Sequence, residues 1–188
     1  MLFASFYEAS GLFDSSFNRL AAKLSGGKFC HSDFIFKWNK DELTEILSKV
    51  RGLSDIRERA SEYVKDGFLY VCVHVYWGGS VSYRVLMPDH VHLYWRVPDT
   101  EMRQLSCTWE EELQIFQWCM RELGKSYDYF GALTYLFRST YGYPCTYGKY
   151  YCSMFMVKAL QEIGKLEHIN CRAIVPNHLY RLLYNLSV

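Results

Sequence analysis

Three features of the chain predict an α+β fold in which an antiparallel sheet packs against helices. FLYVCVHVYW (68–77) and SVSYRVLM (80–87) alternate in polarity around Gly78-Gly79, a two-residue turn that accepts positive φ, so the pair reads as a hairpin. Trp109 to Leu123 carries Trp109, Leu113, Phe116, Met120 and Leu123 on one helical side, with glutamates in the first turn and Gly124 at the end. YYCSMFMVKALQEIG (150–164) sets Cys152, Phe155, Met156, Ala159, Leu160 and Ile163 at offsets 0, 3, 4, 7, 8 and 11, one apolar helical face.

The remaining elements follow in chain order. Ser15 to Leu24 predicts a short helix stopped by Gly26 and Gly27. KFCHSDFIFKW (28–38) predicts a strand with His31, Asp33 and Ile35 on one face and Phe34 and Phe36 on the other. Asp41 to Val50 and Ser54 to Lys65 predict two helices broken at Gly52, the second largely solvated by its charges. In the hairpin, Tyr70, Cys72, His74 and Tyr76 face opposite to Leu69, Val71, Val73 and Val75, and HVHLYWRV (90–97) is expected to add a strand. Tyr127 to Arg138 predicts a helix capped by Asp128, residues 139–149 a Tyr- and Gly-rich surface loop leading to Tyr150, and the tyrosine-rich stretch 141–151 is suited to shaping a substrate groove or covering a partner site. VPNHLYRLLYNL closes the chain as a short helix or turn docking Leu179, Leu182 and Leu183.

At 188 residues, half of them apolar and 18 % aromatic with 16 tyrosines, the chain has the substance for a single folded domain, 1–188. Its net charge of +1 is spread without a basic block, so nucleic acid is not an expected partner. No run of 18 apolar residues and no secretory signal pattern is visible, which predicts a soluble, cytoplasmic protein. Seven cysteines, at 30, 72, 107, 119, 145, 152 and 171, form no CxxC, so neither a zinc knuckle nor a dithiol redox site is indicated.

The chemistry centres on Cys152. A thiol at a helix start is offered the unpaired N–H groups of the first turn, which favour a thiolate and a developing oxyanion, and its pKa falls below about 8.5 when a histidine approaches. Core filling and metal ligation compete with that reading. His31, at the entrance of its strand, is the candidate base. A third group would hold its ring: His74 from the neighbouring strand first, Asp33 or Asp89 less favoured.

The histidine in FCHSDFIF, GKSYDYFG (124–131), the YCSMFMVKALQEIG block and the closing VPNHLYRLL together resemble the circularly permuted, papain-like branch of the NlpC/P60 superfamily. The similarity covers about residues 28–184, with a helical insertion at about 41–65. It implies a permuted papain-like fold with the nucleophile helix near the C-terminus. It also implies a cysteine peptidase or amidase with Cys152 as nucleophile and His31 as base, a viral member acting in host cytoplasm or virion. Tyr127 and Asp128 match a recurring feature beside the family's cleft. A peptide or protein amide is the expected substrate and no cofactor is implied; a non-catalytic binding or virion-associated module is the alternative.

A second constellation competes. MPDHVHLYW (87–95) places His90 and His92 on one strand side, as a divalent metal requires, and is similar to the signature of HUH nucleases, whose attacking tyrosine would here be Tyr135 or Tyr141. Against it stand Asp89 in place of an asparagine and the lack of a basic stripe. Cys30, Cys119 and Cys171 are expected to pack.

Overall fold

A computed structural model describes residues 1–10, 15–64, 67–86, 100–138 and 148–184. Among them, five strands form one antiparallel sheet: β1 (Leu2–Glu8), β2 (Phe29–Asn39), β3 (Phe68–Val75), β4 (Val81–Val85) and β5 (Thr100–Gln104), in the order β4-β3-β2-β1-β5. Seven α-helices accompany it: α1 (Ser16–Leu24), α2 (Lys40–Lys49), α3 (Ser54–Tyr63), α4 (Trp109–Arg121), α5 (Tyr129–Arg138), α6 (Cys152–Gln161) and α7 (Pro176–Tyr184). The fold is α+β, as the sequence predicts.

The helix starts follow capping chemistry. Ser15 accepts from the Asn18 N–H, Asn39 forms a capping box with Glu42, Thr108 forms one with Glu111, and Asp128 Oδ1 accepts from the Gly131 N–H at 2.7 Å. Asp128 therefore fixes the entry of α5.

β2 holds the centre of the sheet. Phe34, Phe36 and Trp38 meet Leu2, Ala4, Phe6 and the valines of β3 in the main core, where Phe116 of α4 lies 5.0 Å from the Phe36 ring and 4.7 Å from Trp38. On the opposite face Ile35, Cys72 and Leu86 form a smaller cluster with Phe3, Tyr70 and Met102.

Four expectations need correction or completion. β1 and β5 were not anticipated: β1 is buried on both faces, which erases the polar alternation that marks a half-exposed strand, and TEMRQ is too polar to read as one. The hairpin turn is wider than two residues, because Val75 pairs with Val81 and leaves Tyr76 to Ser80 as the loop. Its rings are engaged elsewhere, Tyr76 beside His31 and Trp77 against Tyr127 and Tyr129. Glu112, expected in the first turn for the helix dipole, is 3 % exposed and accepts from the buried Trp38 indole N–H at 2.8 Å. The core indole needs that acceptor. Finally, α6 buries eight of its ten residues rather than one stripe. The strand expected at 90–97, Asp89, and the loop 139–147 lie outside the described residues.

Candidate active site

A bulge sets the position of His31. Tyr7 pairs with His31 but Glu8 pairs with Phe29, so Cys30 is the extra residue on its strand. Without it, Phe29 and His31 would share a face. With it, Phe29 enters the core against Phe6 and Tyr180 at 5.6 and 4.7 Å, while His31 faces Tyr7 at 5.5 Å. Cys30, expected to pack, instead lines the cleft, with its Sγ 3.5 Å from the Tyr7 carbonyl oxygen.

The strand entrance is clamped from the far end of the chain. Asn177, 4 % exposed near the start of α7, accepts from the Phe29 N–H at 3.0 Å and donates to the Phe29 carbonyl at 2.9 Å and to Ser25 Oγ at 2.5 Å. Gly27 leaves it room, since a Cβ there would stand 2.2 Å from Asn177 Oδ1. Sequence reasoning missed this residue, and the paired glycines before the strand were its only signal.

Cys152 opens α6, whose preceding residue, Tyr151, provides no side-chain cap, so its side chain does not occupy the first-turn N–H groups. The Tyr151 hydroxyl donates to the Arg172 carbonyl at 2.6 Å and Ser153 Oγ to the Ile174 carbonyl at 2.8 Å, fixing the helix entrance to the segment before α7. α6 packs on β2, which brings the Cys152 thiol beside the His31 ring and the Ser32 backbone N–H, and both favour its charged form.

On the other side of the ring, His31 Nε2 lies 2.8 Å from Asp33 Oδ1 in an ion pair. Nδ1 is the nitrogen left to exchange a proton with sulfur. Burial opposes every charge in this group, yet neighbours outweigh it. Burial alone would lower His31, but the Asp33 carboxylate and Cys152 thiolate raise its pKa to about 10. Burial would raise Cys152, but the imidazolium and the Ser32 N–H bring it below its ordinary value. Asp33 is likewise held low, burial being outweighed by His31, with His74 and Arg84 adding to the effect. The neighbours thus favour the charged form of all three groups: thiolate, imidazolium and carboxylate.

The third group on His31 is thus Asp33, and the expectation that His74 holds the ring is corrected. Tyr76 stands between the two histidines, its ring centroid 4.9 Å from His31 and 4.2 Å from His74. His74 engages Ser82 Oγ at 2.7 Å through Nε2, with Nδ1 3.8 Å from Cys72 Sγ. Asp33 shares a strand face with His31 at a spacing of two, and that signal was present in the sequence.

The cleft holding Cys152 and His31 has a volume of about 220 Å3. Its walls are largely apolar, drawn from α1 (Phe17, Ala21), the hairpin loop (Tyr76, Trp77), Tyr127 and Ala132. Burial and the neighbouring thiolate raise the pKa of the Tyr127 hydroxyl, so it stays a proton donor at neutral pH.

His90, His92 and Tyr141 lie outside the described residues, as does the side chain of Tyr135, and among the described residues no group of three metal-ligating side chains forms. Cys119 and Cys171 are buried as expected, and the six described cysteines are free. No described helix is long and apolar enough to cross a membrane. Comparison of the chain with protein-family models, with curated proteins and with solved structures returned no match in any of the three.

Proposed function

We propose that the protein is a thiol acyl hydrolase or acyltransferase that acts through Cys152, His31 and Asp33. One observation carries the reading: a cysteine at a helix N-terminus meets a histidine whose other nitrogen is 2.8 Å from a buried carboxylate. That is the order of nucleophile, base and orienting group that thiol catalysis requires. The histidine comes early in the chain and the cysteine late, as in the permuted papain-like arrangement of the NlpC/P60 superfamily, and the antiparallel sheet beside the nucleophile helix is consistent with it.

In the proposed reaction the Cys152 thiolate attacks a carbonyl carbon, and the π electrons move to oxygen. The Cys152 N–H and the rest of the first turn of α6 stabilise that oxyanion. The tetrahedral intermediate collapses as His31 gives its proton to the departing amine or alcohol, leaving an acyl thioester. His31, now neutral, takes a proton from water or another acceptor, whose oxygen attacks the thioester and releases the acid and the thiolate. Asp33 holds the imidazole in position and offsets its charge throughout. A peptide or isopeptide amide remains the expected bond, and an ester obeys the same steps.

Iodoacetamide at pH 7 tests the reading. Cys152 alkylates first and selectively, because Cys30 is pushed up to about 12 by burial and by the Cys152 thiolate, and Cys72 and Cys119 are raised by burial. Alkylation of Cys152 no faster than of its neighbours, or only after unfolding, removes the nucleophile. With an identified substrate, Cys152→Ala abolishes turnover; retained turnover overturns the assignment.

A further inference from the structure

Seven large apolar side chains around the cleft stay out of the core: Phe17 (41 %), Leu20 (53 %) and Leu24 (50 %) on α1, Trp77 (49 %) in the hairpin loop, and Tyr129 (42 %), Phe130 (56 %) and Leu133 (53 %) on α5. Together they expose on the order of 600 Å2, the upper end for the largest patch of an ordinary monomer. They are connected across the cleft: the Phe17 and Trp77 rings are 4.5 Å apart, and Trp77 and Tyr129 are 4.8 Å apart. Phe17 and Trp77 line the same cleft as Cys152. The apolar rim therefore reaches the cleft that holds the sulfur through Phe17 and Trp77.

Its charge is one-sided. On α1, Phe17, Leu20 and Leu24 make an exposed stripe at offsets 0, 3 and 7, Ala22 points into the protein, and Lys23 flanks the stripe with Arg19 one turn earlier. Neither α1 nor α5 contains an aspartate or glutamate, and the remaining charge of α5 is Arg138. Glu8, which shares a shallow groove with Arg19 and Lys23, is held by Lys28 at 2.6 Å. Leucine and phenylalanine on one side of an exposed helix, with basic residues beside them, is the pattern of a helix lying in the headgroup layer of a bilayer.

We propose that this rim seats the protein on an anionic lipid surface, with the mouth of the Cys152 cleft turned toward the bilayer. The exposed leucines and aromatics enter the headgroup–acyl boundary, and Arg19 and Lys23 meet the lipid phosphates and carboxylates. A protein partner would also accept the apolar surface. The exclusively basic charge of both flanking helices favours the anionic membrane. The attachment is independent of the catalytic reading, since the side chains that make it are not those that react.

Flotation of the full chain with vesicles tests it. The wild type floats with mixed phosphatidylcholine–phosphatidylserine vesicles, floats less with pure phosphatidylcholine, and is released by salt. Leu20→Glu with Leu24→Glu weakens binding at least about tenfold, and Arg19→Gln with Lys23→Gln weakens it about fivefold per charge. Cys152→Ser binds as wild type, so loss of the nucleophile and loss of the membrane face are separable. Circular dichroism and retained Cys152 alkylation verify folding of the leucine variant, and the charge variant carries the test if that one misfolds. Wild-type protein that floats with neither vesicle overturns the proposal. So does undiminished flotation of both variants, or a dimer that the leucine variant dissociates, which would assign the rim to a second copy.

Discussion

His31 and His74 stand on adjacent strands, both nearly buried, both near Asp33, with the Tyr76 ring between them, and they are driven in opposite directions. His31 rises to about 10 and His74 falls to about 4. Burial lowers both. His31 escapes because two anions touch it, Asp33 and the Cys152 sulfur. For His74, burial leads and Asp33 resists it, while Arg84 and His31 repel a second positive charge. The charge of a buried imidazole here is decided by what touches it, not by depth. One histidine is built to carry a proton, the other to remain neutral beside Ser82.

The largest effect comes from removing the charged member. His31→Ala leaves the buried Cys152 without its cation, and alkylation at pH 7 slows by about 100-fold as the thiolate fraction collapses. Asp33→Asn follows: the imidazolium loses its carboxylate, and the pH at which Cys152 becomes reactive moves upward, with about a tenfold loss of rate at pH 7. If His74→Gln slows alkylation as much as Asp33→Asn does, the two histidines are not distinct in the way described. The expected change for His74→Gln is less than about twofold.

Asn177→Ala tests positioning rather than charge. It leaves the Phe29 N–H and carbonyl unsatisfied two residues from His31, at a cost of about 2–4 kcal/mol in chemical denaturation. Asn177→Asp keeps the acceptor and loses the donor, so it recovers only part of that stability.

The smallest effect is in the pH dependence of stability. His31, with a folded value of about 10 above its ordinary 6.5, contributes stability that is full below 6.5 and lost as pH rises toward 10. Cys152, lowered from 9.0, contributes stability that is full above 9.0 and lost as pH falls through its folded value. Where the folded pair holds its one proton on nitrogen and the unfolded pair holds one on sulfur, the two dependences cancel. Between about pH 6.5 and 9, wild-type Tm therefore shows no slope from this pair, whereas Cys152→Ala loses stability as pH rises above 6.5. On the acid side, His74 contributes stability that is full above 6.5 and lost as pH falls toward 4, and His74→Gln flattens that limb. Thermal melts across pH measure both.

The sulfur and the imidazole were legible in the sequence because each sits at the entrance of an element whose periodicity is plain. Asp33 was legible at a spacing of two, yet His74 looked stronger, since nothing in the string shows that Tyr76 would occupy the space between the rings. β1 was hidden by burial on both faces, because a strand packed on two sides shows no contrast of polarity along its length. Asn177 was hidden for another reason: its partners at the entrance of β2 are the Phe29 backbone groups 148 positions away, and backbone groups leave no mark in a sequence.

The imidazole precedes the sulfur in the chain, and most of the described fold lies between them. A ribosome that has emitted the whole of β2 has already exposed His31 and Asp33, but must still deliver most of the chain before Cys152 exists to meet them. Until α6 and the Asn177 clamp arrive, the nascent polypeptide holds a base with nothing to deprotonate. A chain that stops before Cys152 lacks the proposed nucleophile even with β2 complete.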